Sequence, residues 1–380
     1  MNQILPLASI TTVAMMVSIL IVPLSKRIAL RYGLVDDPGS ADYKTHHHIT
    51  PYGGGIAIFL ACLLPMATIL VFLFCQSTDV FHDESNWVNP WAPYWLFPFS
   101  QFSATVLEVS QVITLFTCAA VMWLVGMVDD FKGLTPLFRF LSQLTIAGIL
   151  VIWIPGFRLP IAETDPVVAI AITILWITAI TNAFNFLDNM DGLAAGVAGI
   201  CTAGCVSLAL TGGHIPAAFV GLILTGSVCG FLVYNFPTAK VFMGDCGGLF
   251  IGFMVAGLST LVCWRTSETA NLSGIISLVP LLTLGVPIYD LSSVVVIRLL
   301  RKKPPWNGDQ NHTSHRLVRL GLSRRNSVIF LYVITLITVF STLDIITPST
   351  GSFGFWMALP ILAAMALLDC VFFLFRTSHE

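Results

Sequence analysis

Charge is what this chain lacks. Only 10% of its residues are Asp, Glu, Lys or Arg, against 56% hydrophobic residues, where a soluble domain carries about 25% charged residues. A chain of 380 residues this poor in charge cannot cover a water-facing surface. Lipid must be its main solvent. There is no basic excess either. The formal net charge is −2, which offers no electrostatic argument for a polyanionic partner, so no nucleic acid is expected. No cysteine pair has metal-ligand spacing. Cys201 and Cys205, one helical turn apart in an apolar run, read as buried thiols. No internal repeat and no soluble domain is visible, so 1–380 is expected to form one transmembrane domain.

What the chain has is apolar runs of about 20 residues, each long enough to cross the hydrocarbon core as a helix. They lie near 4–24, 54–75, 107–128, 137–155, 166–184, 192–211, 215–235, 246–264, 273–299, 327–343 and 353–375. The expected fold class is all-α, a polytopic bundle of about eleven transmembrane helices. The first run is too long for a signal-peptide core, lacks a small-residue cleavage site, and is followed by Lys26, Arg27 and Arg31. It reads as a retained helix with the N-terminus outside and, by parity, the C-terminus cytoplasmic. The segment Gln76–Ser103, rich in Trp, Pro, Asn and acid, reads as an outside loop. Five connections then fall inside: 25–53, 129–136, 185–191, 236–245 and 300–326. With their flanking helix ends and the C-terminal tail they hold all of the 18 Lys and Arg except Arg158 and Arg265. The positive-inside rule makes that face cytoplasmic.

Carboxylates collect on the same face. Asp129 and Asp130 end the third run in GMVDDFKGL, Asp188 and Asp191 follow the fifth in NAFNFLDNMDGLAAG, and Asp245 opens the eighth in FMGDCGGL. Ionisable groups at a membrane boundary cost several kcal/mol if they face lipid. They are therefore expected to share a protein-lined or watery cavity. A lone acid at a helix start is usually a cap, and Asp245 alone would fit that reading. Five acids on one face would repel one another unless a cation joined them. Their oxygens suit Mg²⁺, or Mn²⁺ in its place. Glycines 192, 196, 244, 247 and 248 flank the acids, allowing close approach of a bulky ligand, and two helix N-termini there suit phosphate oxygens.

Basic groups complete the face. One segment runs from Lys44 through His46, His47 and His48 to Gly55, the other from Arg298 to Arg325 with Asp309, His312, His315, Arg316 and Arg319. Arginine forks and histidines suit a diphosphate, whereas Arg301, Lys302 and Lys303 read as an anchor on anionic lipid. Asp290 lies within the ninth run. It is either a functional intramembrane carboxylate or a hydrogen-bonding post at a helix interface.

Taken together, these motifs resemble the polyprenyl-phosphate N-acetylhexosamine-1-phosphate transferase family, glycosyltransferase family 4. The stretches are Asp37-Pro38 with Lys44, His46 and Gly54-Gly55; GMVDDFKGLTPLFRFLSQ; NAFNFLDNMDGLAAG; FMGDCGGL; and DQNHTSHRLVRLG, together spanning about 20–325. The resemblance implies an eleven-helix membrane enzyme of the bacterial cell membrane, with a cytoplasmic site. Its reaction would be Mg²⁺-dependent, passing a HexNAc-1-phosphate, most commonly GlcNAc-1-phosphate, from a UDP-sugar to undecaprenyl phosphate with release of UMP. A homodimer is compatible with it. It also implies roles. Asp129, Asp130, Asp188, Asp191 and Asp245 would be catalytic, the first two acting on the lipid phosphate. Asn185 and Asp245 would hold the metal. Lys44, His46, Arg139, Asn182, Asp188, Asp191, His312, His315 and Arg316 would contact the substrates. Tyr43 and Tyr52 stand where the family often has Arg, Gly248 replaces a common Ser, and the last histidine motif reads His312-Thr-Ser-His315. The peptidoglycan branch's triple histidine is missing from the last loop, which argues against a MurNAc-pentapeptide donor.

Two other classes are open to a protein with buried carboxylates. A secondary transporter places them near the midplane, often in repeated halves; here they gather at one face without a repeat. A CDP-alcohol phosphotransferase expects a longer series of acids along one helix pair than Asp188 and Asp191 supply.

Overall fold

The computed structural model describes residues 4–36, 49–77, 106–161, 165–270, 278–306, 308–346 and 363. Twelve helices run through them: α1 (Ile4–Arg31), α2 (Gly54–Ser77), α3 (Val106–Lys132), α4 (Pro136–Trp153), α5 (Pro166–Leu187), α6 (Leu193–Thr211), α7 (Ile215–Asn235), α8 (Gly244–Ala270), α9 (Leu278–Thr283), α10 (Gly285–Leu300), α11 (Thr313–Arg319) and α12 (Arg324–Ile346). Among the described residues the strands are two short ones, β1 (Val35–Asp36) and β2 (Thr50–Pro51), paired antiparallel. Eight of the helices are long and apolar enough to cross a membrane, and α2 carries a shorter apolar stretch over Gly54–Thr68. The all-α membrane bundle expected from the apolar runs is therefore what the chain forms. The expected eleventh run, 353–375, and most of the expected outer loop, 78–105, lie outside the described residues.

Helix α8 is the axis. Its apolar window is buried all round, wrapped by α2, α3, α5 and α6, as a helix without a polar face must be. Helices α3 and α8 run antiparallel. Arg265 pairs with Glu108 at 3.7 Å at one end, and Asp130 meets the start of α8 at the other. Gly126 allows this approach: a Cβ there would lie 2.5 Å from the Cys246 Cα.

Prolines within helices leave a carbonyl without its N–H partner, and in lipid that carbonyl needs another donor. Pro23 in α1 frees Ile19, whose oxygen accepts the Tyr234 hydroxyl of α7 at 3.1 Å. Pro287 frees Thr283, whose oxygen takes the Cys201 thiol of α6 at 3.1 Å. Within the expected span 273–299 the described helix is interrupted. The chain breaks at Leu284 into α9 and α10, because Gly285 and Pro287 follow one another too closely for an unbroken ladder.

The described parts of the five connections expected inside meet at one end of the bundle. The backbone N–H groups of Gly54 and Gly55 donate to Phe242 and Met243. Asp191 accepts from Ala239, and Ser314 donates to Asn189.

Candidate active site

The carboxylates are organised around the first turn of α8. Asp130 accepts the backbone N–H groups of Asp245 and Cys246 at 2.7 and 3.0 Å. Gly244 reaches this turn at φ +75°, where a side chain would be strained and its Cβ would lie 2.8 Å from the Asp130 carboxylate. An internal carboxylate thus sits where a phosphate was expected, on the positive end of the α8 dipole. The glycine reading changes with it. Gly247 packs on Gly55, and Gly196 lies under the Tyr332 ring, where a Cβ would come within 2.0 Å. These glycines admit neighbouring helices rather than a ligand.

Asp245 projects from that turn. Its Oδ1 accepts the Asn185 amide at 2.7 Å, and its Oδ2 lies 3.5 Å from Arg139. The same Arg139 nitrogen donates to Asp129 Oδ2 at 2.7 Å, while Asp129 Oδ1 takes the Leu134 N–H at 2.6 Å. One guanidinium from α4 therefore spans carboxylates of α3 and α8. Its helix is clamped to α5 by a reciprocal amide pair between Gln143 and Asn182. Asn182 also donates to Thr178 O at 2.8 Å, so its amide is committed to this interface.

Asp188 ends α5. Its backbone N–H donates to Phe184 O at 3.2 Å, but its carboxylate makes no hydrogen bond or ion pair among the described residues. The carboxylates of Asp245, Asp191 and Asp130 bear on it, and desolvation followed by their charge pushes its pKa up to about 7. Asp191 is different. Its Oδ2 accepts the Ala239 N–H at 2.9 Å, holding the 236–243 connection. That connection also hangs on Asn235, which takes the Gly192 N–H and donates to Val241 O.

The sequence-derived set thus divides. Asp129, Asp130, Asp188, Asp245, Asn185 and Arg139 come together. His312, His315 and Arg316 belong to a neighbouring cluster built on α10 and α11. His312 pairs with Asp290 at 2.8 Å, and Arg316 donates to Ser293 and Thr313 at 2.6 and 2.9 Å. Burial and the nearby charges of His312, Arg319 and Arg324 hold the His315 pKa down near 4, so the ring is neutral at pH 7. Lys44 and His46 lie outside the described residues.

Three contributors escaped the sequence reading. Gln143 belongs to a motif that was quoted, but its partner is 39 residues away. Phe186, quoted within NAFNFLDNMDGLAAG but given no role, carries the Arg298 guanidinium 5.3 Å from its ring centre. Tyr52 bridges to Phe242 and hydrogen-bonds Asp36. Burial and then that bond raise its pKa, with Asp130 and Asp245 adding to the rise, so its hydroxyl lies within the field of the aspartates.

A family model, glycosyl transferase family 4, matches residues 112–263, the stretch that carries all five aspartates. A probable undecaprenyl-phosphate N-acetylglucosaminyl 1-phosphate transferase of Bacillus subtilis is 32% identical over 328 residues, 85% of this chain and 80% of that protein. The chain belongs to glycosyl transferase family 4. Two further relatives agree. A decaprenyl-phosphate N-acetylglucosaminephosphotransferase of Mycobacterium leprae is 31% identical, covering 75% of this chain and 70% of that protein. An undecaprenyl-phosphate alpha-N-acetylglucosaminyl 1-phosphate transferase of Thermotoga maritima is 24% identical, covering 84% and 91%. The resemblance read from the motifs is borne out, and this glycosyl transferase is a multi-pass membrane enzyme.

Proposed function

We propose that this family member transfers GlcNAc-1-phosphate from UDP-GlcNAc to a polyprenyl phosphate, undecaprenyl phosphate in a bacterial cell membrane. The products are polyprenyl-diphosphate-GlcNAc and UMP, and the reaction begins an envelope polysaccharide. The supporting observation is the ring of groups around Asp245: Asn185 and Arg139 on its oxygens, Asp129 sharing the arginine, and Asp188 unpaired beside it. The names of the relatives supply the donor sugar and the lipid. The basic connections at that end of the bundle support a cytoplasmic site.

A divalent ion suits these residues. Asp188 has hard oxygens without a hydrogen-bond partner, crowded by like charge, and a cation relieves that crowding. Among the described residues no group of three His, Cys, Asp or Glu side chains is placed to hold a metal. Mg²⁺ is commonly bound by one or two carboxylates, with substrate phosphates and water filling the remaining positions. Asp245 and Asp188, with the Asn185 amide oxygen, would hold it. When bound it would neutralise charge on the nucleotide diphosphate.

The chemistry is phosphoryl transfer between two anions. An oxygen of the lipid phosphate bonds to the sugar-side phosphorus, the bond from that phosphorus to the bridging oxygen breaks, and UMP leaves with the electron pair. A phosphate monoester is largely ionised at pH 7, so no strong base is needed. Asp129 and Asp130 are already occupied by hydrogen bonds. Their part is orientation: Asp129 aims Arg139 at the diphosphate, and Asp130 fixes the turn that carries Asp245. Arg139 supplies positive charge where negative charge gathers.

The full chain, reconstituted with polyprenyl phosphate, Mg²⁺ and a panel of UDP-sugars, should release UMP with UDP-GlcNAc. Asp245→Ala should lower that rate on the order of 100-fold or more. Release from no donor would sink the proposal, and sugar flux into sealed vesicles without UMP would favour a transporter.

A further inference from the structure

The buried carboxylate Asp290 takes no part in the cluster around Asp245. It is 1% exposed on the inner face of α10, with Val294 and Arg298 one and two turns further along. Both of its oxygens are used on the connection that follows α10. Oδ2 meets His312 Nδ1 at 2.8 Å, and Oδ1 accepts the Thr313 N–H at 2.7 Å. Arg298, 2% exposed, repeats the arrangement with the charges exchanged: its Nε and Nη2 grip Asp309 at 3.0 and 3.2 Å. A helix carrying an acid then a base meets a loop carrying their counterparts, and this pairing admits one register. The Phe186 ring joins the two pairs, with Arg298 5.3 Å from its centre and the His312 ring edge-on at 6.2 Å. Phe186 is the neighbour of Asn185, which bonds Asp245. Ser314 ties the same loop to Asn189 at 2.5 Å, beside Asp188.

The consequence for His312 is chemical. An ionised carboxylate only accepts, so the proton facing it belongs to Nδ1. Nε2 is left without a partner among the described residues. A ring so held presents one fixed nitrogen, as metal- and substrate-binding histidines do when a carboxylate fixes their other side.

We infer that Asp290 is a positioning residue of the transferase, holding His312 through Nδ1 and Thr313 N–H so that the ring in its imidazolium form donates Nε2–H to the diphosphate of the nucleotide sugar. This rests on the transferase reading above, which supplies the diphosphate. Asp290 acts through His312 and does not itself touch substrate.

The test uses the full chain in detergent with UDP-GlcNAc, polyprenyl phosphate and Mg²⁺. Asp290→Asn should lower kcat about tenfold or more, with KM for polyprenyl phosphate unchanged within about twofold. The double variant with His312→Ala should be no worse than His312→Ala alone, within about twofold. His312→Asn keeps a donor near the Nδ1 place and deletes Nε2, so it should fold normally and lose turnover to the same extent. Wild-type turnover in either Asp290→Asn or His312→Asn, or losses that multiply in the double variant, would overturn the inference. Should Asp290→Asn fail to fold, His312→Asn decides. If the wild type releases no UMP, the transferase reading fails. Amide exchange over 312–319 then tests the anchor by itself: Asp290→Ala should raise it at least about tenfold, and unchanged exchange would discard the anchor.

Discussion

Asp130 and Asp245 stand at the meeting of two helix ends, and the Asp130 carboxylate accepts the Asp245 backbone N–H at 2.7 Å. The acid of α3 is the cap of α8. Asp130→Ala should remove about 1 kcal/mol of stability, the usual cost of a lost cap, and should lower turnover by letting the Asp245 turn drift. Asp130→Asn, which retains one acceptor oxygen, should lie between wild type and Asp130→Ala in both respects. Thermal unfolding in detergent and UMP release measure the two effects. Equal stability of all three proteins would deny the cap.

Arg139 bridges Asp129 and Asp245 with one nitrogen. Arg139→Lys keeps the charge but loses the fork, so it should retain turnover above that of Arg139→Ala yet below wild type. The loss in Arg139→Ala should be roughly tenfold or more in kcat/KM for UDP-GlcNAc. Steady-state kinetics of the three proteins decide, and an unimpaired Arg139→Ala would remove the arginine from the mechanism.

Gly126 touches the first turn of α8 through atoms a side chain would displace: Cys246 Cα at 2.5 Å and Asp245 O at 2.6 Å from a built Cβ. Gly126→Ala should destabilise the protein by about 1–3 kcal/mol, the range for overpacking. It should also damage turnover while leaving every polar side chain of the site in place. A variant with wild-type melting temperature and rate would mean that α3 and α8 can separate at no cost.

Removal of divalent cations with a chelator should abolish UMP release, and added Mg²⁺ should restore it. Asp188→Asn should raise the Mg²⁺ concentration for half-maximal rate by about tenfold or more. An unchanged requirement would move the ion away from Asp188.

Asp309 carries a pKa of about 2 despite partial burial, because Arg298 and Asn311 bond its ionised form. A folded-state value below the unfolded one stabilises the protein fully above the unfolded pKa of about 4 and loses that contribution as pH falls toward 2. The stability gap between wild type and Asp309→Asn should therefore be constant from pH 8 to about 5 and narrow only in stronger acid. Unfolding midpoints across that range test it; a gap that closes near neutrality would contradict the arrangement.

The membrane bundle was legible in the sequence because lipid demands uninterrupted apolar runs, and the distribution of Lys and Arg around Arg158 and Arg265 marked its two ends. The gathering of Asp129, Asp188 and Asp245 at one end followed from counting spans. The division of labour among them did not. Asp130 and Asp245 are alike as residues in a motif, yet one is spent on backbone N–H groups and the other projects toward Asn185 and Arg139. Asp290 read equally as a reactive group or an interface post until its oxygens were seen on His312 and Thr313. Glycines 196 and 247 looked like room for a ligand and prove to be room for Tyr332 and Gly55. Periodicity and charge act along the chain and can be read from it. A hydrogen bond between residues 115 positions apart depends on two helix ends meeting within 3 Å, and only the packed structure decides which ends meet.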